Sequence, residues 1–186
     1  MPQLRPRTSA ALARVAWLAR LYLAIAIWRR GPQELPAVCI LLPLTIAAYV
    51  LLSAAIGVSL PAMRPGWLWQ VGLDTLFVAV WYWLLLAIAR RRERYLQTAS
   101  ALFGLQTVLA APSMVLVWLM QRSTHDASLR LPVYVAGIEL TIWTLAAIGH
   151  ILRAALERSL GQCVFLALLQ MLVEEAMFVG VFGPGQ

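Results

Sequence analysis

The stretch RRGPQELPAVCILLPLTIAAYVLLSAAIG, residues 29–57, decides the class of this protein. Within it, residues 35–56 carry no charged side chain. Wound as an α-helix rising ~1.5 Å per residue, that run reaches roughly 33 Å, enough for the ~30 Å hydrocarbon core of a bilayer. Arg29 and Arg30 stand ahead of it, and a Gly-Pro turn at Gly31 and Pro32 separates the two arginines from the apolar run. The stretch turns a basic arm into a first membrane span.

Working outward, four more apolar runs follow, at 71–89, 99–120, 131–152 and 160–182. A soluble helix needs only one apolar face, so five runs of this length exclude an ordinary soluble domain. The composition agrees, with 62% hydrophobic residues over 186 positions and a mean hydropathy of +0.79. The expected fold is all-α, a polytopic helical membrane protein. Residues 35–186 form one transmembrane domain of five helices, and residues 1–34 form a cytoplasmic basic arm.

Inside the arm, SAALARVAWLARLYLAIAIW, residues 9–28, reads as a helix that Thr8 or Ser9 caps. Arg14 and Arg20 interrupt it, and a central Arg costs a spanning helix at least ~2.5 kcal/mol. We read it as an amphipathic helix at the membrane interface, with Trp17, Tyr22 and Trp28 at headgroup level. A sixth span is the alternative. Residues 1–14 show no cleavable signal peptide, since no compact apolar region with a small-residue cleavage site appears.

All fifteen basic residues are Arg, and the net charge is +7. They lie beside apolar spans, so they are topology signals and contacts to anionic lipid rather than a nucleic-acid surface. The strongest cluster is RRRER, with Arg90, Arg91, Arg92 and Arg94. Counted by side, twelve arginines fall on one face of the membrane, and only Arg64, Arg122 and Arg130 on the other. This excess places the N-terminus in the cytoplasm and, after five spans, the C-terminus in the periplasm of a bacterial inner membrane. Cys39 and Cys163 both fall in apolar runs and read as small packing residues.

Charges inside spans are expensive and mark the natural place to look for function. Glu139, Glu174 and Pro112 each lie about eight residues, roughly 12 Å, from the outer ends of their expected spans. Asp74 lies about one turn into the second span from the same side. Pro112 is expected to kink its helix. The functional reading is a shared polar cavity lined by Asp74, Glu139, Glu174 and Glu175, able to hold a cation, a proton or a lipid headgroup. The structural reading pairs Glu139 with an outer-loop arginine and has Glu174 or Glu175 hydrogen-bonded across helices. Gln170 and Glu174, four apart, share a helix face. Small residues at Ser53, Ala54, Ala55 and Gly57, and at Ala136, Gly137, Ala146, Ala147 and Gly149, suit close helix packing within the bundle or against a partner.

Enzyme chemistry finds little support. The Glu174-Glu175 pair resembles the start of the glutamate-rich motif of the type II CAAX-protease-like family. That family has Arg three positions after the second Glu and His in later helices. Here the position holds Phe178, and no His follows. No Gly-x-Ser-x-Gly elbow, His-Glu-x-x-His helix or phosphate-binding loop occurs. Of the two histidines, His125 lies in an outer loop and His150 at a helix end, where it suits the helix dipole. We expect no catalytic residues, no cofactor and no metal site.

Five spans with a cytoplasmic N-terminus, and Gly31-Pro32 just before the first span, resemble the Yip1-like group of membrane proteins. The stretch RRGPQELP is similar to that of small uncharacterised proteobacterial inner-membrane proteins with a GPQ(D/E)LP segment. The aromatic-rich acidic motif of eukaryotic Yip1-like members does not occur here, so a vesicle-trafficking role does not carry over. The resemblance implies a non-enzymatic helper or scaffold and supplies no catalytic residues. The expected function is that of a non-catalytic scaffold or partner subunit, with the lipid bilayer and a membrane-protein partner or a second copy as its contacts. The alternative is a small transporter or channel subunit that uses the outer-half carboxylates.

Overall fold

The computed structural model describes residues 7–36, 38–59 and 66–183. Six α-helices follow in chain order: α1 Arg7–Ala26, α2 Leu41–Ser59, α3 Trp67–Ile88, α4 Tyr95–Ser123, α5 Arg130–Leu156 and α6 Leu160–Phe182. No strand occurs among the described residues. The last five helices are long and apolar enough to cross a membrane, whereas α1 contributes only the shorter apolar stretch Val15–Ala26. The protein is a multi-pass membrane protein of the all-α class. Arg64 and the loop around it, residues 60–65, lie outside the described residues.

The first span starts at Leu41 rather than at residue 35. Proline explains the delay. Pro32–Glu34 form a single 3₁₀ turn, and Leu35, which precedes Pro36, is extended with φ −74° and ψ 137°. A residue before proline is pushed out of the helical region, so the helix waits until Pro36 is passed. Pro43 then falls in the first turn of α2, where its missing N–H costs nothing. Cys39 sits in this turn and is exposed, unlike the buried Cys163. The expectation of two packed cysteines therefore holds for one only.

Helix α4 is the axis of the bundle. Every residue from 98 to 105 is buried, and so is Leu109. It packs against α1, α2, α3 and α5. The run TASALFGL permits this because its small side chains let neighbouring backbones close in, the usual device where lipid removes any hydrophobic drive between helices. Tyr22 of α1 lies on Gly104 so closely that any Cβ there would overlap its ring. Tyr22 is thus a packing residue 8% exposed, while Trp17 and Trp28 stay exposed. Tyr22 therefore faces inward, into the space that Gly104 leaves.

At the C-terminal end of α1, Trp28 takes a left-handed conformation at φ 60°, and the Arg29 N–H closes back on the Ala24 carbonyl at 2.8 Å. Carbonyls left over at a helix end need donors. The Trp143 indole supplies one to Ala26 at 2.8 Å, and His150 Nε2 lies 3.2 Å from the Arg30 carbonyl. Gly31 and Pro32 are both buried, and Gln97 Nε2 donates to the Leu35 carbonyl at 3.0 Å. The Gly-Pro turn is consequently locked against α4 and α5.

The small residues of α5 serve packing inside the molecule. A Cβ on Gly149 would come within 3.2 Å of the Val164 backbone nitrogen in α6, and one on Gly57 within 2.9 Å of the Trp67 ring in α3. On the arginine-rich side, Glu157 accepts from Arg91 and Arg94, each at 2.5 Å, joining the ends of α3 and α5. Arg94 also caps the Ala154 and Ala155 carbonyls at 3.0 and 3.2 Å. The Arg94 hydrogen bond, with the charges of Arg91 and Arg94, holds the Glu157 carboxyl below the usual glutamate range.

Candidate functional site

The polar groups of the spans meet near the arginine-poor ends of α2, α3 and α6. Tyr49 stands on α2 with its ring tilted against Phe103 of α4, centroids 5.8 Å apart. Its hydroxyl donates to Asp74 Oδ2 on α3. The Asp74 carboxyl faces the carboxyl of Glu174 on α6, near enough for the two to interact. Gln170, one turn away from Glu174, donates its Nε2 to Glu174 Oε2 at 3.3 Å. The Tyr82 hydroxyl, back on α3, donates to Gln170 Oε1. Hydrogen bonds thereby tie α3 to α2 through Asp74 and to α6 through Tyr82.

The directions of these bonds matter. Every neutral donor among them points toward the carboxyl pair: Tyr49 at Asp74, Tyr82 at Gln170, and Gln170 at Glu174. The three ion pairs of the described residues involve Arg30, Arg91 and Arg94, all on the opposite side, so no guanidinium among the described residues offsets the pair. At short range in low dielectric, two carboxylates do not both stay charged without a counter-charge.

The pair borders a cavity of about 370 Å³ lined by Tyr49, Gln70, Asp74, Glu175, Phe178 and Phe182, among others. Phe178 and Phe182 stack at 5.9 Å and form its apolar wall. Below the pair the structure is closed, since Gln170 is 3% and Tyr82 1% exposed. The arrangement is a vestibule that ends on carboxyls, with a sealed polar floor. Among the described residues, no three His, Cys, Asp or Glu side chains gather to hold a metal ion.

Of the four carboxylates expected to share one cavity, two line it, Asp74 and Glu175. Glu174 lies beside Asp74 without lining the cavity. Glu139 does not join them. It is exposed on α5, in a separate groove of about 410 Å³ that it shares with Pro112, Leu116, Leu119 and Trp143. No hydrogen bond or ion pair reaches it, so the arginine partner expected from an outer loop is absent among the described residues. The physical reason is rotation about the helix axis. Depth places Glu139 level with Glu174, but its side of α5 faces away from α3 and α6. Pro112 lies inside α4, which runs on as one helix to Ser123.

Tyr49 and Tyr82 are the site residues that sequence reasoning missed. Tyr82 lies in the triplet WYW, which reads as an aromatic belt, and Tyr49 is one of a few polar tips, with Thr45 and Ser53, in a long apolar run. The available signal was the four-residue spacing of Gln170 and Glu174, which marks a polar stripe in need of donors on a neighbouring helix. Comparison with family models, with curated proteins and with solved structures finds no match for this chain.

Proposed function

We propose that this protein is a small subunit of a membrane transporter or channel that binds a proton or a monovalent cation at the Asp74–Glu174 pair. The observation that supports this is the pairing of two carboxyls from different helices at a cavity, with neutral donors converging on them and no basic partner among the described residues. A bundle held together by packing alone has no use for so costly a group. On the arginine count the chain sits in a bacterial inner membrane, with its N-terminus cytoplasmic and its C-terminus periplasmic. The vestibule then opens toward the periplasm.

Infrared difference spectroscopy of the protein in lipid nanodiscs tests the proposal. A protonated-carboxyl band is expected that disappears on raising pH or adding Na⁺ or K⁺. It should be missing in Glu174→Gln and in Asp74→Asn, while the circular dichroism stays unchanged. A band that ignores both pH and cations overturns the assignment.

A second reading, a scaffold or partner subunit, draws on Glu139. An exposed, unpaired carboxyl at membrane depth invites a donor from outside the chain, and Pro112 leaves the Val108 carbonyl in α4 without its helical N–H. The resemblance to the Yip1-like group fits this reading. Glu139→Gln should then loosen a native complex while leaving the infrared signal of the carboxyl pair intact.

A further inference from the structure

A second cavity lies on the arginine-rich side, where the ends of α3, α5 and α6 meet. It is an open trough of about 630 Å³ whose walls include Leu85, Ile88, Leu156, Phe165 and Leu166. Ile88 and Phe165 are 80% and 63% exposed, so the trough faces the lipid. Arg158 and Gln162 also line it, and Ala89 on its rim is followed directly by Arg90.

The charge balance at this corner is uneven. Glu157 is occupied by Arg91 and Arg94. Arg92 rests over the Trp83 ring at 5.5 Å. Arg90 and Arg158 have no hydrogen-bonded or ionic side-chain partner among the described residues. The left-handed turn at Arg90, φ 57°, ends α3 at this point, so Arg90 leaves the helix at the level of the trough's edge. An apolar channel with unneutralised guanidinium groups at one end has the layout of a bound phospholipid: chains within, phosphate at the rim.

We propose that this trough is a binding site for an anionic glycerophospholipid, with an acyl chain between α3 and α6 and the headgroup phosphate on Arg158. Acyl chains gain little by leaving bulk lipid for an equally apolar trough, so selectivity rests on the headgroup. Arg is suited to this because its planar guanidinium donates to two phosphate oxygens at once. A basic side chain near the surface changes affinity for anionic lipid by about fivefold.

Native mass spectrometry of the detergent-solubilised protein, titrated with phosphatidylglycerol or phosphatidylcholine, tests the site. The wild type is expected to retain phosphatidylglycerol preferentially, and Arg158→Gln to weaken that binding about fivefold. Arg122→Gln, on the opposite side, removes the same charge and should change nothing. Gly161→Leu supplies a variant that keeps every arginine. Gly161 lines the trough and a Cβ there meets nothing within 4 Å, so leucine fits the fold while filling the channel. It too should lose the preference for phosphatidylglycerol. Equal binding of the two lipids, an equal loss in Arg122→Gln, or full binding in both Arg158→Gln and Gly161→Leu overturns the proposal. A lipid-independent dimer that Gly161→Leu dissociates would assign the trough to a second copy instead.

Discussion

Glu174 and Glu139 are the same residue at about the same depth, roughly 12 Å from the arginine-poor ends of α6 and α5. Their surroundings differ completely. Glu174 is half-buried, lies beside Asp74 and accepts a hydrogen bond from Gln170. Glu139 is exposed and has no partner among the described residues. Depth sets what a carboxyl costs in a membrane, but the face of the helix sets what it does. On an inward face it takes a glutamine of its own helix and, through Gln170 and Asp74, is tied to tyrosines of two other helices. On an outward face it finds no partner among the described residues.

The comparison breaks most visibly at Asp74. Asp74→Leu strands the Tyr49 hydroxyl and the Glu174 carboxyl, and leaving such groups unpaired costs about 1–3 kcal/mol. Glu139→Leu strands nothing and replaces a polar group on the lipid face, so stability should hold or rise. Thermal unfolding of both variants in the same detergent checks this. Equal losses would mean that Glu139 has a partner within the chain after all.

A smaller effect separates two tyrosines. Tyr82→Phe removes the donor to Gln170 and should cost about 1 kcal/mol, near the upper range of interhelical hydrogen bonds in membranes. The Tyr22 hydroxyl is buried with no partner. Tyr22→Phe should therefore leave the unfolding midpoint unchanged or raise it. The pair sharpens the lesson, since both rings are buried and only the hydroxyl's neighbours differ.

The smallest expected effect lies outside the spans, at Glu157. Its folded carboxyl sits below the ordinary range because of Arg94 and Arg91. The clamp therefore stabilises fully above the unfolded glutamate value of about 4.3 and fades as pH falls through the lower folded value. The small gap in unfolding temperature between wild type and Glu157→Gln should close on acidification. A gap that widens toward acid contradicts the clamp.

Much of this was legible in advance. Five apolar runs implied five spans, and α6 matches its expected bounds at 160–182. The Gln170–Glu174 spacing placed the two side chains on one helix face, and there a hydrogen bond joins them. Gly149 and Gly57 serve close packing inside the bundle, one of the two uses their size suggested. The start of α2 was misplaced because hydropathy does not register that Pro36 holds Leu35 extended. Glu139 was grouped with the wrong neighbours because depth was known and rotation was not.

That division has a physical cause. The sequence alone determined the class, the number of spans and the uneven distribution of arginine, because hydrocarbon imposes a minimum apolar length and charge is counted along the chain. Only the tertiary structure decided that α4 lies at the centre, that Tyr22 packs on Gly104, and that Tyr49 and Tyr82 serve the carboxyl pair. In water an apolar stripe tells which side of a helix faces the core. In lipid both sides are apolar, so the stripe vanishes, and the inward face is known only once the neighbouring helices are in place.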